Sequence, residues 1–208
     1  MDIQKCVQLL TRKSKLRMRE LKVNLSQNKL SVNFQNIATQ LPIDKSDWHE
    51  YFFGVALMVS ARADCTRRQF GCVVVSPDKR IVGTGYPGPA YGEQSAVQRY
   101  KSEHGCYPPK GFGCCKEIGA PANSAYDNCN TLHAENLALS QLGTNNPYEY
   151  LDLYLVCRNG QTGDLQDAET PCIYCSRTIK QYKVRYIYSL NADSSYKILL
   201  PKDLVTHL

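Results

Sequence analysis

The chain has 208 residues, 43% of them hydrophobic and 21% charged, with a formal net charge of +6. That length allows one domain with a true core plus a terminal extension. The composition is that of a globular protein, and no apolar run approaches the roughly 18 residues of a membrane span.

Residues 1–45 read as a basic, polar extension, and residues 46–208 as the domain. Within the first thirty residues stand Lys5, Arg12, Lys13, Lys15, Arg17, Arg19, Lys22 and Lys29 against only Asp2 and Glu20, which accounts for the whole net charge of +6. The body is therefore balanced and shows no bias toward a polyanion. A helix over 2–22 could align Ile3, Val7, Leu10 and Leu21, although the periodicity is weak. The first twenty residues lack an apolar core and a small-residue cleavage site. The expectation is a cytoplasmic protein without a membrane anchor.

Asp47, with Glu50 three residues on, has the form of a capping box. The run that follows predicts a helix with Trp48, Phe52, Ala56 and Val59 on its inner face. FGCVVVS is β-branched and apolar and predicts a buried strand. SPDKR is a turn, and IVGTGY completes a hairpin. Residues 87–130 form a long loop rich in Gly, Pro, Tyr and Cys, of the kind that is functional or stapled by a metal. HAENLALSQL predicts a helix ended by Gly143, and YLDLYLVC a strand. CIYCSRTIKQYK predicts a helix with Pro171 in the favoured first position, and VRYIYSL another strand. Residues 193–208 add a short helix or an edge element. This order implies an α/β domain layered on a mixed sheet.

Ten cysteines in a chain of this size, without an export signal, point to metal binding rather than disulfides. Cys6, Cys72 and Cys157 stand alone, and the last two sit in apolar runs as core residues. The strongest signal is His133-Ala134-Glu135 together with Pro171-Cys172-Ile173-Tyr174-Cys175. A catalytic zinc takes three protein ligands and leaves one position open for water. Cys172 and Cys175 at a helix start, where the helix dipole favours thiolates, plus His133 make such a set. Glu135, two residues past the histidine, is placed to carry protons rather than to bind metal. Each half alone is common. Together, each at a helix start, they have the H-x-E…P-C-x-x-C form of zinc deaminases that act on nucleobases.

Residues 47–190 resemble the deoxycytidylate (dCMP) deaminase family. The similarity lies in DWHEYFFGVALMVSARADCTRRQFGCVVV, IVGTGY, CNTLHAENLAL and TPCIYCSRTI. It implies a cytidine-deaminase-like three-layer fold, with a five-stranded mixed sheet flanked by helices, and conversion of dCMP to dUMP and ammonia. It also implies a homo-oligomer, commonly a hexamer, with dCTP and dTTP as effectors. A second, structural zinc is implied, with Cys65 and Cys129 as outer ligands. His104, Cys106, Cys114 and Cys115 are the loop candidates, of which Cys106 and Cys114 are chosen. Substrate contacts are expected from Ala134 and Tyr86. The family's usual Gly-Tyr-Asn-Gly is here Gly85-Tyr86-Pro87-Gly88, so an asparagine that touches the sugar is lost. Tyr91 stands where an arginine is common. Arg67 and Arg68 are the candidates for phosphate; a solvated turn is the equal alternative. Two other readings stay open: a deaminase of tRNA or single-stranded DNA using the basic arm, and a deaminase of a modified cytosine nucleotide. The neutral body makes nucleic acid the less favoured partner.

Overall fold

The computed structural model describes residues 44–108, 130–143 and 145–205. The proposed helix over 2–22, Cys6, Cys114, Cys115 and Cys129 lie outside the described residues. Among the described residues no helix is long and apolar enough to cross a membrane.

Helix α1 (Trp48–Ser60) is capped by Asp47, whose carboxylate accepts from the His49 N–H at 3.2 Å. The cap is therefore made, but on His49 rather than on Glu50. The buried face is Phe52, Phe53, Ala56 and Ser60, so the helix is rotated away from the face through Trp48 and Val59. A helix lying on a sheet buries a broad stripe, and the second phenylalanine draws that stripe toward itself. Trp48 is left 44% exposed, stacked on Phe52 with the ring centroids 5.5 Å apart.

Strands β1 (Arg68–Val75) and β2 (Ile81–Gly85) form the expected hairpin, antiparallel with Cys72 opposite Gly85. Its turn places Lys79 at φ 64°. Strand β1 starts two residues before the expected Phe70, because Arg68 and Gln69 pair with Asn159 and Arg158. A two-residue strand β3 (Gly88–Pro89) and helix α2 (Ala96–His104) lie in the segment expected to be loop. Helix α2 has a full capping box between Ser95 and Gln98 and closes at Gly105, φ 70°.

Beyond the undescribed stretch come β4 (Thr131–Leu132), α3 (Ala134–Ser140) and β5 (Leu151–Asn159). Then follow β6 (Leu165–Gln166), α4 (Ile173–Gln181), β7 (Val184–Leu190) and the edge strand β8 (Tyr196–Leu199), with a 3-10 turn at Pro201–Asp203. Strand β3 pairs with β4 in a separate two-stranded ribbon.

The main sheet runs β2-β1-β5-β7-β8. Only β5 and β7 are parallel; the other pairs are antiparallel. The sheet is mixed, as expected, but among the described residues it has six strands rather than five, since β6 folds back onto the end of β5. Residues Leu151 to Cys157 are all buried, which is why that run is largely apolar rather than alternating; its one charged member, Asp152, is paired with Arg185 at 2.6 Å. One face packs Phe52, Phe53 and Ala56 of α1 on Val73, Val75, Tyr154, Val156 and Tyr188. The opposite face packs Ala134, Ala138 and Leu139 of α3, with Ile179 of α4, on Cys72, Val74, Leu153, Leu155 and Ile187. The expected three-layer α/β arrangement is therefore observed, with Cys72 and Cys157 as core residues.

Helix α3 sits unusually close to β2. A Cβ at Gly85 would run into the carbonyl oxygen of Ala134, and one at Gly83 into that of Ala138. At the far end of the helix the Gln141 amide bonds both backbone groups of Thr84. Its Nε2 donates to the carbonyl at 2.6 Å, and its Oε1 accepts from the N–H at 3.2 Å. Position along the sheet is thus fixed at both ends of α3.

Candidate metal centre

His133 and Cys172 occupy equivalent places. Each is the N-cap of its helix, with extended backbone at φ −77° ψ 153° and φ −65° ψ 167°, and neither makes a side-chain cap bond. Their side chains are thereby released from the usual N-cap duty and turned toward each other. Cys175 is three residues past the cap, where an N-cap and an N3 side chain converge. Pro171 precedes the cap rather than occupying the first helical position as expected. Cys172 takes the cap because its backbone is extended, and the Pro171 carbonyl accepts from Ser176 Oγ at 3.1 Å.

The Nδ1 atom of His133 lies 3.3 Å from Cys172 Sγ and 3.4 Å from Cys175 Sγ. All three ligand atoms fall within 4.8 Å of one another, and this is the group of potential metal ligands found among the described residues. Tetrahedral zinc bonds of about 2.3 Å to sulfur and 2.0–2.1 Å to nitrogen separate such atoms by roughly 3.6 Å. The donor set and its spacing fit zinc, with one coordination position left for a non-protein ligand.

The electrostatics agree with the geometry. Hydrogen bonding from Cys175, opposed by burial and supported by His133, holds the Cys172 thiol down at about 4. Cys175, fully buried, is pushed up because it shares its proton with Cys172 and lies away from water. His133 is raised, first by its bond to Cys172. A dication in their midst would displace these shared protons and leave both sulfurs as thiolates.

Glu135, in the first turn of α3, is 6% exposed. Burial raises its carboxyl pKa, opposed by its own backbone N–H and by the charge on His133. It reaches the Cys175 thiol but does not join the three-ligand group. Ala134 is buried beside it, held against Gly85.

The remaining candidates are placed less uniformly. Tyr86 is half-buried just past β2, one residue from the contact between Gly85 and Ala134. Tyr91 is fully exposed, at 106%. Arg68 is engaged with Glu169 by two contacts of 2.8 Å, three residues upstream of Cys172. As a phosphate ligand it would first have to leave that carboxylate. The Arg67 side chain is exposed, and its carbonyl accepts from the Gly160 N–H at 3.1 Å. Of the second-zinc candidates, Cys65 is half-buried and accepts from the Arg68 N–H at 3.4 Å. Cys106 is half-buried just beyond α2.

Sequence reasoning did not find the tie between the loop after β2 and the approach to His133. Gly88 and Pro89 pair with Leu132 and Thr131, and Asn130 donates to Glu93 and to the Gln94 carbonyl. Two-residue strands carry no periodic signal. The capping residues of α2, Ser95 and Gln98, did carry one.

Residues 46–190 match the family described as the cytidine and deoxycytidylate deaminase zinc-binding region. The chain is 30% identical over 166 residues to the deoxycytidylate deaminase of Schizosaccharomyces pombe, an alignment covering 75% of this chain and 42% of that protein. It is 28% identical over 184 residues to the deoxycytidylate deaminase of Saccharomyces cerevisiae, covering 79% of this chain and 49% of that one. The chain thus spans about half the length of these curated relatives. Among solved structures, the dCMP deaminase from the cyanophage S-TIM5 in apo form superposes with a TM-score of 0.44 at 20% identity, over 71% of this chain and 86% of that one.

Proposed function

The chain belongs to the cytidine and deoxycytidylate deaminase zinc-binding family, and from that premise we propose that it hydrolyses the exocyclic amino group of a cytosine nucleotide, turning dCMP into dUMP and ammonia. The observation that carries this reading is His133, Cys172 and Cys175 gathered within 4.8 Å, with the buried carboxylate of Glu135 alongside.

His133, Cys172 and Cys175 would hold the zinc, which when bound would supply an acidified water, its pKa brought from 15.7 to about 7, as a nucleophile at neutral pH. Glu135 accepts the proton that this water loses. It passes that proton to the ring nitrogen next to the amino-bearing carbon, then takes a second proton from the newly added hydroxyl and gives it to the departing amine. Oxygen bonds to the carbon, the carbon–nitrogen bond breaks, and ammonia leaves. A carboxyl whose pKa is raised by burial suits both halves of this traffic, because it holds a proton firmly enough to deliver it. The site is dry on the sheet side, where Ala134, Ala138 and Cys72 are fully buried.

The same reading extends to a second, structural zinc held by Cys65, Cys106, Cys114 and Cys129, and to a cytoplasmic homo-oligomer regulated by dCTP and dTTP. The family resemblance supports it. Two of that zinc's candidate ligands, Cys65 and Cys106, are half-buried. One observation favours a narrower substrate. Pro87 is buried between Tyr86 and the β3–β4 pairing, where it offers no side-chain hydrogen bond to a sugar. A cytosine nucleotide with a modified base or a different phosphate state is the second reading.

The test is ammonia release from a panel of cytosine and deoxycytidine bases, nucleosides and mono-, di- and triphosphates, with zinc counted on the same sample. Release from dCMP that vanishes in Glu135→Ala is the expected result. Release from none of the panel by a zinc-loaded protein overturns it.

A further inference from the structure

The loop over residues 86–95 starts beside helix α3 and runs along the approach to His133. It leaves β2 where Gly85 touches Ala134, and its strand β3 lies antiparallel to β4, which runs directly into His133. Little holds such a loop from within. Tyr91 is wholly exposed, and Gly92, at φ 85°, has open space around it. A ladder of two residue pairs is weak alone.

Asn130 supplies the missing fastening. Its side-chain amide donates to the Glu93 carboxylate at 3.0 Å and to the Gln94 carbonyl at 3.0 Å. One of these acceptors is charged, which strengthens the bond. The next residue, Ser95, donates to Asp64 at 3.0 Å and caps α2, so the far end of the loop cannot follow a shift at its middle.

We propose that Asn130, with Glu93, is a positioning residue. It clasps the 86–95 loop to the segment that delivers His133, so that Tyr86 and Pro87 stand at a fixed distance from Glu135 and form the wall of the nucleotide site. The proposal rests on the deaminase reading for its substrate but not for the clasp itself. Asn130 touches no reacting atom; its removal loosens the wall and leaves proton transfer intact.

The test compares wild type with Asn130→Ala, Asn130→Asp and Glu93→Gln. In Asn130→Ala, KM for dCMP rises about tenfold, the weight of one hydrogen bond to a charged acceptor, with kcat and zinc content unchanged. Asn130→Asp removes both donated protons and sets a carboxylate beside Glu93, so KM rises at least as far. Glu93→Gln keeps an acceptor but not its charge, so KM rises by less than in Asn130→Ala. Hydrogen exchange of residues 86–95 without substrate reads the clasp directly and quickens in Asn130→Ala. Unchanged exchange with unchanged KM overturns the proposal, and so does a loss of kcat that tracks zinc content. A wild-type protein silent on dCMP, with exchange still faster in the variant, overturns the substrate reading and supports the clasp.

Discussion

On one face of the sheet α1 lays Phe52 and Phe53 against Tyr154, with ring centroids 5.0 and 5.2 Å apart, and Tyr154 stacks on Tyr188 at 4.7 Å. On the other face α3 meets β2 through Gly83, Gly85, Ala134 and Ala138, where no larger side chain fits. The aromatic face gains stability from buried area, and rings can tilt to share a volume. Backbone rests on backbone on both faces, at Gly71 under the Ala56 carbonyl on the aromatic face, but on the small-residue face it does so at two points along one helix, Gly83 and Gly85. A helix seated in that way has nowhere to slide. The candidate metal ligands and Glu135 belong to the second face, and the proposed chemistry needs its donors held to within about 0.5 Å.

Four substitutions would break or sharpen this division. Glu135→Gln should lower kcat by about 10²–10⁴-fold, the usual contribution of a general acid–base, while zinc content and melting temperature hold; steady-state kinetics beside metal analysis checks it. Phe52→Ala should cost about 3–5 kcal/mol of stability in urea unfolding, with activity per folded molecule unchanged. Gly85→Ala should cost about 1–3 kcal/mol as α3 is pushed outward. Unlike the phenylalanine change, it should lower activity even where the protein is fully folded, and equal activity per folded molecule would refute the positional role given to that face. Tyr154→Phe removes the hydroxyl that sits 3.0 Å from His49 Nδ1, should cost about 1 kcal/mol, and should leave turnover untouched.

What could be read in the chain beforehand was whatever is decided locally. His133-Ala134-Glu135 and Cys172 to Cys175 were legible because ligand identity and spacing set the geometry within one turn of helix. Val184–Leu190 and most of Leu151–Asn159 were legible because largely covered strands are rich in apolar, β-branched and aromatic residues, with Asp152 and Arg185 as the charged exceptions. The inner face of α1 was only half legible: its period was right, but which residue centres the stripe depends on the sheet beneath. Pro171 was read as the first helical residue, although the backbone of Cys172 takes the cap. Arg67 and Arg68 were read as phosphate candidates or a solvated turn, and the pairing of Arg68 with Glu169, 101 residues away, was not legible because nothing nearby in sequence reveals it. The ribbon between Gly88–Pro89 and Thr131–Leu132 joins segments that meet only in the folded chain.

The bond pair between Gln141 and Thr84 has a consequence outside the site. Among the described residues strand β2 is the outermost on its side of the sheet, and outermost strands invite foreign strands to dock. At Thr84 both backbone groups are already matched by a side chain that imitates a neighbouring strand. An intruding chain would meet an edge blunted at its middle, so fibre-like growth from this side is discouraged by the same amide that seats the helix.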